Sequence, residues 1–215
     1  MLLGAQDDSV LVTKNFKFKD GVYLTFDAFQ QNLPDYTWEQ AEGRMVTNAD
    51  TYLTKIEWLR TKDSLNKKHI PLHQIWGVCV GGIPFIRTPI HQPDYVLFAA
   101  LRVRGKICYF AYEEEAIEQV VISAYNPLTG KPFRSGKVDN KVYRRIEKML
   151  HFNHGEVMDF TPENFLKWII DDPKLTETVK GLSQEEIQEK LFKCLLIYVD
   201  RNPVYITTRK HNNKS

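Results

Sequence analysis

Two adjacent glycines, Gly81 and Gly82, stand between two β-prone runs at 74–80 and 83–87. Glycine reaches positive φ without steric cost, and the two-residue turns that match the twist of a hairpin require it. The segment is therefore predicted to fold back on itself. A chain that reverses in so few residues makes antiparallel neighbours, which argues against a parallel, doubly wound sheet. Further β-prone runs surround this one. Residues 22–24 form a short run, and 54–60 alternates with Ile56 and Trp58 on one side. Residues 95–103 and 106–112 flank Arg104-Gly105 as a second predicted hairpin, and 119–123 reads as a further strand.

Helix signals sit at both ends of the chain. Thr25 can cap a short helix over 26–32, which Leu33-Pro34 ends. Thr37 to Gln40 has the spacing of a capping box and predicts a second short helix from Trp38. In the C-terminal third, Thr161-Pro162-Glu163 and Asp172-Pro173 each pair a cap with a proline at the first helical position. Ser183 and Glu186 complete a further capping box, followed by the stripe Ile187, Leu191, Leu195 and Val199. Residues 194–199 are apolar without a break, so that helix end is predicted to be enclosed on every side. Asn202-Pro203 stops the helix, and 204–208 reads as a closing strand.

Two stretches between these elements are less regular. Residues 124–138 carry Asn126-Pro127, Thr129-Gly130, Pro132 and Ser135-Gly136 and read as an ordered surface loop. Residues 142–152 fit a helix by Val142, Ile146, Met149 and Leu150. Their tail, with the turn Asn153-His154-Gly155 and residues 156–160, fits a hairpin. The expected fold is α+β: an antiparallel, hairpin-rich central sheet with short N-terminal helices and a C-terminal three-helix segment. Residues 10–208 form one domain in this reading, with a flexible N-terminus at 1–9 and a flexible polar tail at 209–215.

Composition narrows the function classes. Hydrophobic residues make up 43% of the chain, with 12 Phe, 10 Tyr and 4 Trp, so global disorder is excluded. The net charge of +2 is too small for bulk attraction to nucleic acid or membrane, so no nucleic-acid partner is expected. No run of apolar residues is long enough for a transmembrane helix. The three cysteines, Cys79, Cys108 and Cys194, lie among apolar neighbours without a CxxC, which reads as three buried thiols rather than a zinc ribbon or a disulfide framework.

No complete catalytic motif emerges. Gly130 to Lys137 departs from a phosphate loop in its glycine spacing, and Pro132 removes a backbone donor. His151 and His154 are three apart with Glu156 and Asp159 nearby. On a helix both imidazoles would share a face and make a weak metal pair, whereas on a hairpin they would face opposite ways. No resident metal or other cofactor is expected. A basic stretch from Lys131 to Lys148 interleaves with Phe133 and Tyr143. With pI near 8.3 and mixed signs elsewhere, it reads chiefly as a solvated face. Tyr125, Asn126, Phe133, Arg134 and Lys137 are the candidate ligand- or partner-binding residues, because loops on a rigid sheet often carry function. The partner suited to this stretch is an acidic protein or an anionic glycan.

The first residues turn from Leu2-Leu3-Gly4-Ala5 to the polar Gln6-Asp7-Asp8-Ser9. On these residues alone, the remnant of a signal-peptide cleavage region and an ordinary N-terminus stand level.

Several segments together resemble an uncharacterised protein family common in Bacteroidota. They are the run from Asp20 to Phe29 ending in Asn32 to Pro34, the run from Ile75 to Ile86, His154 to Phe160 with the acidic helix through Asp171-Asp172-Pro173, and Tyr198 to Pro203. The resemblance spans most of the chain. It implies a protein whose relatives often begin with signal peptides and look like envelope or secreted proteins, and it brings no assigned activity. It favours the cleavage-remnant reading of Leu2 to Ala5 and an extracytoplasmic location, in the periplasm or cell envelope. The expected function is a non-catalytic binding protein with a protein or glycan partner of the envelope. The alternative is an enzyme, hydrolase-like, using histidines and acids.

Overall fold

The structure is a computed structural model that describes residues 8–63 and 67–208. The expectations for Leu2 to Ala5 and for the tail 209–215 lie outside the described residues. The described fold is α+β with antiparallel sheet throughout its named pairings. Two compact units are distinct: one is built from residues up to 111 and from 147 onward, the other is 112–146.

The larger unit holds a seven-stranded sheet. Its strands are β2 (Gly21–Tyr23), β3 (Ala41–Asn48), β4 (Leu53–Thr61), β5 (His69–Ile70), β6 (Gly77–Val80), β7 (Ile83–His91) and β8 (Val96–Ala100). Their order is β2-β6-β7-β8-β4-β3, with β5 also on β4. The β6–β7 hairpin forms at Gly81 and Gly82, whose φ angles are 63° and 79°. Asp20 clamps that turn, its carboxylate accepting from the Gly81 and Gly82 amides at 3.1 and 2.7 Å. Val22, Ile56, Leu59, Ile75, Val78 and Phe98 fill the core on this sheet.

The short helix α1 (Phe26–Gln30) is capped by the Thr25 hydroxyl, which accepts from the Ala28 amide at 3.1 Å. Its buried Phe29 stacks on Phe18 and Trp76 at 4.7 and 4.6 Å and meets Phe152 edge-on at 5.9 Å. The second helix expected from Trp38 is absent. The capping-box half forms, with Gln40 Oε1 accepting from the Thr37 amide at 3.0 Å. Ala41 then enters β3, whose long pairing with β4 outweighs a local helix start.

The second expected hairpin also does not form as written. β8 pairs with β7 and β4. Beside Arg104-Gly105 the pairing among the described residues is an isolated bridge, Val103 to Tyr109, with the Arg102 amide also donating to the Tyr109 carbonyl at 2.8 Å. The next strand, β9 (Ile107–Tyr125), belongs instead to a three-stranded sheet in the order β11-β10-β9, with β10 (Pro132–His151) and β11 (Val157–Asp159). The hairpin reading of 142–152 is therefore the correct one. The loop expected over 124–138 shrinks to the turn between Asn126 and Lys131, because Pro132 and Gly136 are accommodated in the part of β10 that β11, paired at Lys148 to Leu150, does not reach.

The helices α2 (Pro162–Trp168), α3 (Pro173–Lys180) and α4 (Gln184–Arg201) start at Thr161, Asp172 and Ser183, each side chain capping its own helix. They bury Phe165, Ile169, Leu175, Val179, Leu195 and Tyr198 with Ile107, Tyr109 and Met149. The end of α4 is not enclosed on every side: Leu196 and Ile197 are 45% and 42% exposed, whereas Leu195 and Tyr198 are fully buried. The helix packs by one face, so half of the apolar run is left outward. The strands β1 (Asp8–Leu11) and β12 (Tyr205–Thr208) pair antiparallel with each other.

At the start of α4, the Ser183 hydroxyl accepts from the Glu186 amide at 3.3 Å, and Glu186 accepts from the Ser183 amide at 3.0 Å. Ser183→Ala removes half of this box and is expected to lower stability by ~0.5–2 kcal/mol. Urea denaturation checks it, with an unchanged midpoint counting against the cap and Ser183→Asp expected to retain most of the stability.

Candidate functional site

The unit 112–146 is a two-stranded ribbon with little of its side-chain surface buried. On its β9 strand, Ile117, Val121, Ile122 and Tyr125 are 65%, 61%, 56% and 61% exposed. Leu128 in the turn is 93% exposed. Two ion pairs cross between the strands: Lys141 meets Glu115 at 2.8 Å and Arg144 meets Glu118 at 2.7 Å. All four side chains are well exposed, so each pair is worth little in stability.

The five binding residues expected from the sequence fall at the far end of this ribbon. Tyr125 ends β9 with its ring in solvent. Asn126 builds the turn: its amide donates to the Lys131 carbonyl at 2.9 Å, and its Oδ1 accepts from the Leu128 amide at 2.9 Å. It is thus a turn former. Arg134 and Lys137 are exposed on β10, and strand alternation points them to opposite faces. The Phe133 side chain lies outside the described residues. The structure therefore brings Tyr125 and Asn126 together at the turn and does not converge Arg134 and Lys137 on one ligand. What sequence reasoning missed is the exposure of Ile117, Val120, Val121 and Ile122. Residues 119–125 read as a charge-free β run followed directly by turn residues, but no local signal shows that such a strand will be left uncovered.

The histidines lie in the larger unit. His151 ends β10, and the turn behind it folds back, with the Gly155 amide donating to the His151 carbonyl at 2.8 Å. Gly155 sits at φ 70°, and a Cβ there would strike the Phe26 ring. This turn stacks His154 on His151, centroids 4.4 Å apart and planes 22° apart, while Trp168 meets His151 edge-on at 5.4 Å. The two rings therefore share one side, contrary to the opposite faces expected of a hairpin, because His154 belongs to the turn and not to a strand. Imidazole lone pairs lie in the ring plane, so near-parallel rings aim them side by side and not at one ion. Among the described residues, no group of three or more His, Cys, Asp or Glu side chains is placed to hold a metal.

His151 is only 7% exposed, and its Nδ1 is buried without a hydrogen-bond partner. Burial pushes its pKa down, helped by His154 and Lys106 and opposed by Glu156 and Asp171. Beside it, Lys106 forms an ion pair with Asp171, and Tyr198 donates to Asp171 at 2.8 Å. Burial alone would raise the Asp171 pKa, but the hydrogen bonds from Lys106 and Tyr198 hold it below the usual carboxylate range. Burial raises Tyr198 to about 12. The cysteines are buried and unbridged, and burial holds Cys79 and Cys108 protonated, Cys108 at about 12. Neither is a ready nucleophile.

A cavity of about 430 Å³ opens between β1, the segment before β9 and the end of α4, lined among others by Leu11, Arg102, Arg104, Leu196 and Val199. Its Arg104 guanidinium is committed to the carbonyls of Lys14 and Phe16 at 2.7 and 3.0 Å.

Among the described residues, no helix is long and apolar enough to cross a membrane. No family model matches the chain, nor does any curated protein or solved structure.

A neutral buried imidazole that must take up a proton on unfolding makes stability pH-dependent. The His151 pKa is lower in the folded state, so the unfolded chain binds more protons as pH falls below about 6.5. Its contribution is full above that pH and is lost on going down toward the depressed folded value. Urea midpoints at pH 7.5 and 5.5 should differ for the native chain, and the difference should shrink in His151→Phe. An equal difference in both proteins would overturn the assignment.

Proposed function

We propose that this chain is a non-catalytic, extracytoplasmic or envelope-associated interaction protein. Its ribbon 112–146 is the binding element in this reading, and β12, α2, α3 and α4 serve as scaffold. One observation carries it: the β9 strand presents β-branched and aromatic side chains to solvent beside an open strand edge. A two-stranded hairpin is marginal on its own in water, and an open edge is a template for another strand. Strand addition supplies main-chain hydrogen bonds, with alternate side chains giving specificity. That chemistry favours a protein partner over a glycan. The envelope location is supported by the family resemblance of the segments around Asp20, Ile75, His154 and Tyr198.

A second reading, a hydrolase-like enzyme, is favoured by the stacked His151 and His154 beside Asp171. Two observations weigh against it. The Asp171 carboxylate is committed to Lys106 and Tyr198, and the Cys79 and Cys108 thiols are held protonated.

A photo-crosslinking side chain placed at Leu128, and separately at the exposed Ile170 of the larger unit, tests the binding reading in the source organism. Leu128 should give a discrete protein adduct in the envelope fraction, and Ile170 should not. Adducts of equal yield from both positions, or none from Leu128, would count against the ribbon. Recovery of the protein in the cytoplasmic fraction would overturn the location.

A further inference from the structure

We propose that the β9 edge of the ribbon pairs with the β9 edge of a second copy of this chain, antiparallel, about a two-fold axis at Val121. The inference rests on the reading of the ribbon as the binding element. β9 has β10 as its one neighbour in the sheet order among the described residues, so its other edge is open along the ribbon. Residues 119–125 contain no charge, no glycine and no proline. Val120, Val121, Ile122 and Tyr125 in this run are 43%, 61%, 56% and 61% exposed. An uncharged β-prone segment of this length is suited to pairing with an identical segment.

The charge pattern selects the second copy and the edge. With the axis at Val121, Val120 opposes Ile122, Gln119 opposes Ser123, Glu118 opposes Ala124 and Ile117 opposes Tyr125 of the other copy. No acid faces an acid. Glu113, Glu114 and Glu115 run on beyond the paired stretch, alongside the other copy's turn, which leads into Lys131. The opposite edge is unsuited to the same act. β10 carries Arg134, Lys137, Lys141, Arg144 and Arg145 with Asp139 among them, so a strand contact there must desolvate many charged side chains, which the uncharged run 119–125 avoids. Pro132 also lacks an amide hydrogen to give. An isologous contact of β9 with itself closes as a dimer.

The test uses the full chain in analytical ultracentrifugation over a dilution series. The native chain should sediment as a dimer that dissociates on dilution. Val121→Lys and Val121→Glu should each raise the dissociation constant by at least about tenfold, since each sets like charges face to face at the axis. An equimolar mixture of the two should restore the dimer. A native chain that is monomeric throughout overturns the proposal, as do variants that dimerise like the native chain or a mixture that fails to recover. Cysteine substitution keeps the test open should a charged variant misfold. In Val121→Cys, the azo compound diamide should join two copies, the two thiols giving their electrons and protons to the reagent as one disulfide forms. Gln119→Cys should not cross-link, because it opposes Ser123. Equal cross-linking at both positions, or none at Val121→Cys, would overturn the axis. A monomeric native chain whose Leu128 probe still captures a different protein would end self-pairing and leave the strand-addition reading standing. A monomer with no Leu128 adduct would end both.

Discussion

Every residue of β9 from Ile107 to Ala111 is buried, so the strand is covered on both faces. Ile107, Tyr109 and Ala111 look toward the helical core with Phe165, Leu195 and Tyr198. Cys108 and Phe110 alternate to the other side. The rest of the larger unit depends on this doubly buried stretch. Helix α3 is too short to persist alone in water, and α2 is shorter still. Both exist because their apolar sides close over the strand. At its start the Lys106 carbonyl accepts from the Phe152 amide, which fixes the end of β10 and hence the turn that carries His154.

The same strand changes character after Tyr112. Glu113, Glu114 and Glu115 are exposed in succession, a pattern that no buried strand tolerates. From there the ribbon has no second layer of its own. Its apolar side chains are paired across two strands only, which is the least that a sheet can offer. The physical contrast is between a strand stabilised by burial on two faces and one held by pairing with β10 and a turn. The proposed binding role belongs to the second regime, since uncovered apolar surface beside an open edge gains most from a partner.

Elements set by local chemistry were legible in the sequence. The Gly81-Gly82 hairpin and the caps at Thr25, Thr161, Asp172 and Ser183 each depend on a few adjacent residues. Elements decided by distant pairing were not. Thr37 and Gln40 make the local bond of a helix start, yet Ala41 is drawn into a strand by residues on β4. Residues 95–103 and 106–112 look like hairpin partners, but β8 finds β4 and β7 instead. Pro132 and Gly136 are turn signals that the part of β10 beyond the reach of β11 accepts, which turned a strand into an expected loop. Tyr125 and Asn126 lie at the turn that the Asn126-Pro127 and Thr129-Gly130 signals mark. The apolar stretch before them was read as a strand, but nothing local says that a strand will be left uncovered.

Exposed β-prone segments with open edges carry a hazard, because the same template that pairs once can pair without end. On the proposed two-fold pairing, this ribbon limits itself. The β9 edge is consumed by its counterpart, and the edges left outward belong to β10. Those edges carry Arg134, Lys137, Lys141 and Arg144, with Pro132 near the turn. Another strand approaching them must desolvate charged side chains and meets a missing donor. The acids at Glu113 to Glu115 guard the other end of the apolar run, in the manner of charged residues that flank aggregation-prone strands. On that pairing, the stretch that reads in the sequence as a solvated face has a structural reason to be charged. It leaves one edge of the ribbon fit for a strand and the other unfit, so that association closes instead of propagating.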